Sequence, residues 1–356
     1  MELQINPKFY MLVGISGSGK SFVAEQVKRI YKNHLVNIEV HSSDAIRKEL
    51  WGDENDQQNP QKVFQILHKR VKNALSEGKD VIYDATNLSR KRRIAFLQEL
   101  KHIPCYKSCL IVATPFDECV LNDSHRARHV GLPVIAKQRE HFQCPYFFEG
   151  WDSINIITTA NEIDVVGFDK LLNHLVNIPH DNPHHEYTIG KHMCAAKAYC
   201  VDKYQLIGRL LSKCYTKYPI DEEKVEKLGK ELNEWFWAAR VALYHDIGKA
   251  FTKKFLNSKG ERTDIAHYYN HQNVSAYEIV SRLRFAELLK DEAPIDYNSE
   301  YDSDYYWLMI AVLVNLHMEP FFHPYDSKQW KKLHELIGDY LTNILVKFHE
   351  ADLNSH

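Results

Sequence analysis

The chain has 356 residues, more than one hydrophobic core usually serves, so we expect two domains. Apolar residues make up 44% and charged residues 26%, and no apolar run approaches the roughly 20 residues that span a bilayer, so we expect no membrane partner. The net charge of -2 argues against a strong non-specific grip on nucleic acid. Seven cysteines without a CxxC pair, and no signal-peptide pattern, predict free thiols and a cytoplasmic location.

The first half of the chain alternates strand and helix signals. Longer segments with helical periodicity, such as Lys62–Ser76, Arg90–Leu100 and Phe116–Arg128, separate apolar runs of strand length. Those runs are Phe9–Val13, Asn37–His41, Asp80–Tyr83, Ser108–Ala113 and Ile154–Ile157. Alternating strands and helices predict an α/β domain with a parallel sheet covered by helices on both faces.

The second half contains no convincing strand run. Helical segments lie at about residues 187–214, 221–244, 272–289, 305–316 and 327–351, and polar loops separate them. We therefore predict an all-α domain there. The proline-rich segment NIPHDNPHH marks the linker, which gives domains at 1–178 and 179–356.

Residues Gly14–Ser21, GISGSGKS, fit the phosphate-binding loop pattern GxxxxGK[ST] completely. The loop follows the first strand and opens a helix, which is the context the pattern requires. Its glycines let backbone N–H groups turn toward phosphate oxygens, and the helix N-terminus adds partial positive charge. Lys20 would reach the β- and γ-phosphates of ATP and Ser21 would ligate Mg²⁺. The binding loop proper contains Gly14, Gly17, Ser18 and Gly19.

Polar residues follow the ends of the next strands. Asp44 and Arg47 are three apart on the first turn of a helix, where a carboxylate can deprotonate a hydroxyl and an arginine can hold a phosphate. The alternative is that Asp44 is only a helix N-cap. Asp84 ends the third strand and could hold the Mg²⁺ shell. The basic run Arg90–Arg93 on the following helix favours a solvated helix face.

Arg126 and Arg128 precede a Val-Gly-Leu-Pro break, the place of a mobile lid in nucleoside-monophosphate-kinase-like folds. Lid arginines neutralise charge that builds on a transferring phosphoryl group. The alternative is a pair of exposed charges at a helix end.

These segments together, with DATNLSRKRR, resemble the P-loop kinases of the polynucleotide kinase group over about residues 8–175. The resemblance implies transfer of the γ-phosphate of ATP to a 5′-hydroxyl end of RNA or DNA. It implies that Asp44 is the general base, that Arg47 grips the acceptor's 3′-phosphate, and that Arg126 acts in catalysis and Arg128 on the nucleotide, with the choice between these two arginines left open. Relatives acting on other hydroxyls share the D-x-x-R and DATN motifs, so the acceptor also stays open.

Twelve of the 20 histidines lie in the second half, after residue 178. His245 and Asp246 adjoin at the end of an apolar helix, where nitrogen and oxygen can ligate one divalent metal. Neighbouring helices offer further candidates, namely His185, His192, His267, His271, His317, His323 and Asp352. The alternative is that these are ordinary polar side chains.

The order H…HD…H…H…D resembles the HD phosphohydrolase superfamily over about residues 180–352. The resemblance implies that one divalent transition metal, such as Mn²⁺, Co²⁺ or Ni²⁺, is bound by His192, His245, Asp246 and Asp352. It implies that His271 and His317 bind a second metal or the phosphate, with His267 and His323 remaining as rivals.

A kinase and a phosphohydrolase on one chain suit the two ends of one broken RNA strand. We expect end healing of RNA or DNA, including nicked tRNA, with an RNA ligase as pathway partner. Two alternatives remain: a small-molecule or nucleoside kinase fused to an HD nucleotidase, and a nucleotide sensor without turnover.

Overall fold

The computed structural model describes residues 6–33, 37–56, 58–126, 129–160, 170, 171, 173–183, 186–216, 218–283 and 303–355. By their internal contacts the residues form two compact units, 1–163 and 164–356. The domain boundary after residue 178 remains a prediction. All seven cysteines are free thiols. Within the described ranges, no helix combines the length and apolar character needed to cross a bilayer.

A five-stranded sheet forms the centre of the first unit. Its strands are β1 (Lys8–Val13), β2 (Ile38–Ser42), β3 (Asp80–Asp84), β4 (Tyr106–Val112) and β5 (Ser153–Ile157). They lie in the order β2-β3-β1-β4-β5, and every neighbouring pair is parallel. The α/β prediction is confirmed.

Helices of the first unit connect these strands. They are α1 (Lys20–Asn33), α2 (Ser43–Trp51), α3 (Pro60–Ser76), α4 (Arg90–Glu99), α5 (Phe116–Ser124) and α6 (Leu132–Glu140). Leu12 of β1 is buried in a cluster with Val23 of α1, whereas Phe9 packs on Phe96 of α4 at 5.7 Å between ring centroids. Leu12 and Phe9 are an odd number of residues apart on one strand, so α1 and α4 cover opposite faces of the sheet.

The basic run on α4 corrects one expectation. Arg93 is fully buried, and its guanidinium donates to both carboxylate oxygens of Glu149 at 2.6 and 2.8 Å. Arg90 is also buried, whereas Lys91 and Arg92 are exposed. A solvated face is therefore wrong for Arg90 and Arg93. Glu149, 56 residues after Arg93, neutralises the buried Arg93 charge.

The second unit is largely helical. It contains α7 (Ile189–Tyr215), α8 (Glu222–Tyr244), α9 (Lys249–Thr252), α10 (His271–Glu278), α11 (Ser303–Leu316), α12 (Glu319–Phe322) and α13 (Lys328–Leu353). A π-helical turn, Ile279–Leu283, follows α10, and α13 is broken at Gly338. Helices α7, α8 and α13 pack together, and α10 packs on α11.

One element of the second unit was not predicted. Strands β6 (Lys254–Leu256) and β7 (Arg262–His267) form an antiparallel hairpin where the sequence indicated a polar loop. All three residues of β6 are exposed, so this strand lacks the apolar alternation by which a half-buried strand is recognised.

Candidate functional site

The phosphate-binding loop joins β1 to α1 in a conformation that requires glycine. Gly17 and Gly19 have φ of +80° and +89°. A Cβ at Gly17 would lie 2.0 Å from the carbonyl oxygen of Cys119, and one at Gly19 would lie 2.5 Å from Oγ1 of Thr159. Left-handed backbone and close neighbours thus both exclude a side chain, and this geometry suits a cradle of N–H groups for phosphate.

Lys20 and Ser21 lie beside Asp84 at the carboxyl edge of the sheet. The Lys20 ammonium donates to the carbonyl of Ile15 at 2.8 Å, and Ser21 Oγ donates to Asp84 Oδ2 at 3.4 Å. Burial lowers the pKa of Lys20, and the Asp84 carboxylate opposes that shift. Burial likewise raises the pKa of Asp84, and Lys20 opposes it. The cation and the carboxylate therefore offset each other's burial in a site built for phosphate and Mg²⁺.

Asp44 lies in the first turn of α2. Ser42 is the N-cap of this helix and accepts from the N–H of Asp44, so the alternative that Asp44 itself is the cap is wrong. Arg47 Nη1 donates to Asp44 Oδ1 at 2.6 Å. The Arg47 side chain is only 9% exposed, and this contact orients the Asp44 carboxylate.

Several of these groups line one cavity of about 500 Å³. Ser21, Asp84 and Asp44 line it. Lys48, a residue that sequence reasoning did not single out, lines it as well. Arg126 also lines it. Two carboxylates, a hydroxyl and two cations therefore face one space large enough for a small ligand.

The chain around Arg126 is held by a buried carboxylate. Helix α5 ends at Ser124, four residues before the predicted end. Asp123 Oδ2 accepts from the N–H groups of Val130 and Gly131 at 3.0 and 2.9 Å. Arg128, the other candidate lid arginine, lies outside the described residues.

The second unit brings the predicted ligands together from three helices and from the turns that follow two others. His192 is on α7, His245 and Asp246 follow α8, His271 opens α10, His317 follows α11, and Asp352 is on α13. All six are buried, and all line one cavity of about 190 Å³.

Asp246 lies between two groups of histidine nitrogens that could ligate a metal. Its Oδ2 lies 3.1 Å from Nε2 of His245, and its Oδ1 lies 3.3 Å from Nε2 of His271. Potential ligand atoms of His192, His245 and Asp246 lie within 4.8 Å of one another, as do those of Asp246, His271 and His317. Asp352 Oδ1 is 2.8 Å from Nε2 of His192. The arrangement can hold two cations that share Asp246.

Backbone carbonyls orient three of the histidines. The Nδ1 atoms of His245, His271 and His317 lie 2.9, 2.8 and 2.7 Å from carbonyl oxygens of Ala242, Tyr268 and Val314, respectively. A carbonyl only accepts, so we assign the proton to each Nδ1, and each Nε2 lone pair points into the cavity. A carbonyl partner that fixes the ring and tautomer is typical of metal-ligating histidine.

The electrostatics of the cavity favour a cation. Burial alone would raise the pKa of Asp246, but the adjacent His245 and Lys249 hold it well below its usual value. Burial lowers the pKa of His317 strongly, and the neighbouring His271 adds to the effect. His245 Nε2 is buried and makes no hydrogen bond. An imidazole nitrogen 3.1 Å from a carboxylate oxygen, with no hydrogen bond between them, fits a divalent transition metal that accepts both nitrogen and oxygen ligands.

Two further residues belong to this cluster and were missed by sequence reasoning. Lys249 Nζ lies 2.7 Å from Asp246 Oδ2 and lines the cavity. His180 is buried, and its Nε2 lies 3.3 Å from Lys249 Nζ. Lys249 follows the His-Asp pair by three residues, a signal that could have been used. His180 lies in the predicted linker, where no periodicity pointed to it.

Ser275 fastens the His-Asp turn to α10. Its hydroxyl donates to the carbonyl of His245 at 2.7 Å and accepts from the N–H of Gly248 at 2.8 Å. A Cβ at Gly248 would lie 2.1 Å from the carbonyl oxygen of His271, so glycine permits this close approach. The contacts fix His271 relative to His245.

The rival histidines lie elsewhere. His267 ends β7 and stacks on Tyr269 at 5.5 Å between centroids. His323 is 35% exposed and its Nε2 is 3.5 Å from Glu319. Neither is among the described residues that line the metal-ligand cavity. His185 lies outside the part of the chain that the structure describes.

Comparison with known proteins gives a family match confined to the first unit. Residues 9–145 match a family model described as "AAA domain". The chain is 26% identical to a chain of the Pnkp1/Rnl/Hen1 complex over 36% of its own length, with a TM-score of 0.28. A chain of the Pnkp1/Rnl/Hen1 RNA repair complex gives 26% identity over 39%, with a TM-score of 0.33. This chain spans only 41% and 45% of those two chains.

A putative kinase from Chloroflexus aurantiacus J-10-fl is 14% identical over 48% of this chain and 96% of its own, with a TM-score of 0.37. The family match, the Gly14–Ser21 loop and the parallel sheet together make the first unit an α/β domain of the P-loop kinase fold. Such a loop implies ATP and Mg²⁺ as its ligands.

Proposed function

We propose that this protein heals broken RNA ends. The first unit transfers the γ-phosphate of ATP to a 5′-hydroxyl, and the second unit removes a 2′-, 3′- or cyclic phosphate. The observation that carries the proposal is the pairing, on one chain, of a phosphate loop facing Asp44 with a buried cluster of histidine and aspartate.

Phosphoryl transfer depends mainly on positioning and electrostatic stabilisation. The loop and Lys20 hold the ATP phosphates, and Ser21 with Asp84 would hold Mg²⁺. Asp44 accepts the proton of the attacking hydroxyl, since its carboxylate lines the cavity and is oriented by Arg47. Arg126 or Arg128 neutralises charge on the transferring group.

In the second unit, His192, His245, Asp246 and Asp352 would hold one cation, and Asp246, His271 and His317 a second. The cations would act as Lewis acids toward phosphate oxygens and activate water. Lys249 contributes a positive charge for the phosphate. Phe348 packs against His245 and His317, at 5.0 and 5.8 Å between ring centroids, and shields their rings from water.

The two reactions complement each other chemically. Nucleases that cut RNA by transesterification leave a 2′,3′-cyclic phosphate and a 5′-hydroxyl, the opposite of what ligation often requires. Adding the 5′-phosphate and removing the 3′-terminal phosphate would prepare both ends for an RNA ligase. The RNA acceptor rests on the Asp44-x-x-Arg47 and DATN motifs and their resemblance to polynucleotide kinases.

The test uses one RNA oligonucleotide with a 5′-hydroxyl and a 2′,3′-cyclic phosphate, and two variants of the full chain. Lys20→Ala should lose 5′-phosphorylation and keep phosphate removal, whereas His245→Ala should show the reverse. A wild type that leaves RNA and DNA ends unchanged, while it phosphorylates a nucleoside or small metabolite, would contradict end healing and favour the small-molecule kinase.

A further inference from the structure

An exposed aromatic ring lies at the opening of the metal-ligand cavity. Phe321 of α12 lines the cavity together with His317 and Asp352, yet it is 42% exposed. A side chain that both lines a cavity and is open to solvent lies at its mouth. Phe322, the next residue, is 60% exposed and is not among the described residues that line this cavity.

The Phe321 ring is held in place from behind. Its centroid lies 4.3 Å from that of His349, with the planes at 72°. Tyr325 packs on the same imidazole at 5.9 Å and on Trp330 at 4.9 Å. Burial lowers the pKa of His349, which favours the uncharged imidazole in this aromatic cluster. A ring supported in this way loses little freedom when a ligand packs on its open side.

Phe321 is also tied to the metal ligands by the backbone. It lies one helical turn after His317, and its N–H donates to the carbonyl of Met318 at 3.1 Å. The backbone of Phe321 is therefore tied to the turn that follows His317.

The size of the cavity decides what reaches the ring. Its volume of about 190 Å³ is below the roughly 300–1,000 Å³ of pockets that enclose a drug-sized ligand. A phosphoryl group and cations fit inside, so the remainder of a phosphate ester must lie at the mouth, against Phe321. Bases stack on aromatic side chains wherever single-stranded nucleic acid is bound.

We propose that Phe321 is a stacking platform for the base of the nucleotide whose phosphate the second unit removes. This inference rests on the proposed phosphohydrolase function and narrows its substrates to nucleotides and RNA ends, against simple phosphate esters. Phe321 is a specificity residue, since it contacts the base and leaves the reacting atoms to the cluster of histidine and aspartate.

The experiment compares hydrolysis of guanosine 3′-phosphate and glycerol 2-phosphate by the full chain with Mn²⁺ and without ATP. For the nucleotide, Phe321→Ala and Phe321→Leu should raise KM about tenfold with little change in kcat, since stacking holds ground and transition states alike. For glycerol 2-phosphate they should change neither constant. Phe321→Trp should restore the nucleotide KM, and the control Phe322→Ala should match wild type.

The inference would be overturned if the Phe321 variants raised KM equally for both substrates, or raised it for neither. The proposed function fails if wild type hydrolyses neither these esters nor the terminal phosphate of the RNA oligonucleotide. The dissociation constant of guanosine 3′-phosphate, measured with Mn²⁺ bound, then decides the inference separately. Weaker binding to Phe321→Ala than to Phe322→Ala supports the platform, and equal binding overturns it.

Discussion

The Nε2 atoms of His271 and His317 lie 3.2 Å apart in the buried cavity. Both rings have Nδ1 against a backbone carbonyl, so with the proton assigned to each Nδ1 the two Nε2 lone pairs face each other across that distance. Facing lone pairs in a low-dielectric site are unfavourable, and a cation that accepts both relieves them. The geometry of these two histidines therefore supports a metal site more strongly than their spacing in the sequence does.

Divalent transition metal should stabilise the second unit. At 100 times its dissociation constant, a ligand that binds only the folded state contributes about 2.7 kcal/mol. We expect Mn²⁺, Co²⁺ or Ni²⁺ to raise the melting temperature of the wild-type chain and a chelator to reverse the rise, as measured by calorimetry.

The rival histidines provide matched controls for this prediction. His271→Ala and His317→Ala should lose the part of the rise that the second cation contributes, whereas His267→Ala and His323→Ala should retain the full rise. If the latter two lose the rise and the former two keep it, the assignment of the ligands is wrong.

Gly17→Ala should abolish tight ATP binding. The substitution adds a Cβ 2.0 Å from the Cys119 carbonyl oxygen at a residue with φ of +80°, so the phosphate loop must deform. Gly52 has a similar φ of +73° but nothing within 4 Å of an added Cβ. Gly52→Ala should therefore cost about 1–2 kcal/mol of stability and leave ATP affinity unchanged. Titration calorimetry would contradict the loop geometry if both variants bound ATP as wild type does.

Glu149→Ala should destabilise the first unit by about 3–5 kcal/mol, because it leaves the Arg93 guanidinium buried without its carboxylate. Denaturant unfolding measures the change. Replacing both residues by apolar ones, as in Arg93→Met with Glu149→Leu, should recover much of the loss. If Glu149→Ala were as stable as wild type, the Arg93–Glu149 pair would have to be solvated.

The sheet and the phosphate-binding loop could be predicted from local sequence patterns. The loop between β1 and α1 is a contiguous motif whose chemistry is set by neighbouring residues. The strand Asp80–Asp84 was likewise recognisable, since it is a short apolar run that ends in a carboxylate.

Contacts between distant residues could not be predicted in this way. Arg93 is buried because Glu149 meets it across the fold, and His180 joins the cluster although its own segment has no periodicity. The choice of His317 over His323 depends on where α11 ends, which sequence periodicity locates only approximately.

Asp44 is central to the proposed kinase reaction, because its carboxylate faces the cavity and Arg47 fixes its direction. The most direct test is transfer of ³²P from γ-labelled ATP to a 5′-hydroxyl RNA oligonucleotide by wild type and by Asp44→Ala. We predict transfer by the wild type and a loss of at least about 100-fold in the variant, with ATP binding unchanged. Transfer that survives in Asp44→Ala, or a wild type that binds ATP but labels neither RNA nor DNA, would contradict the proposal.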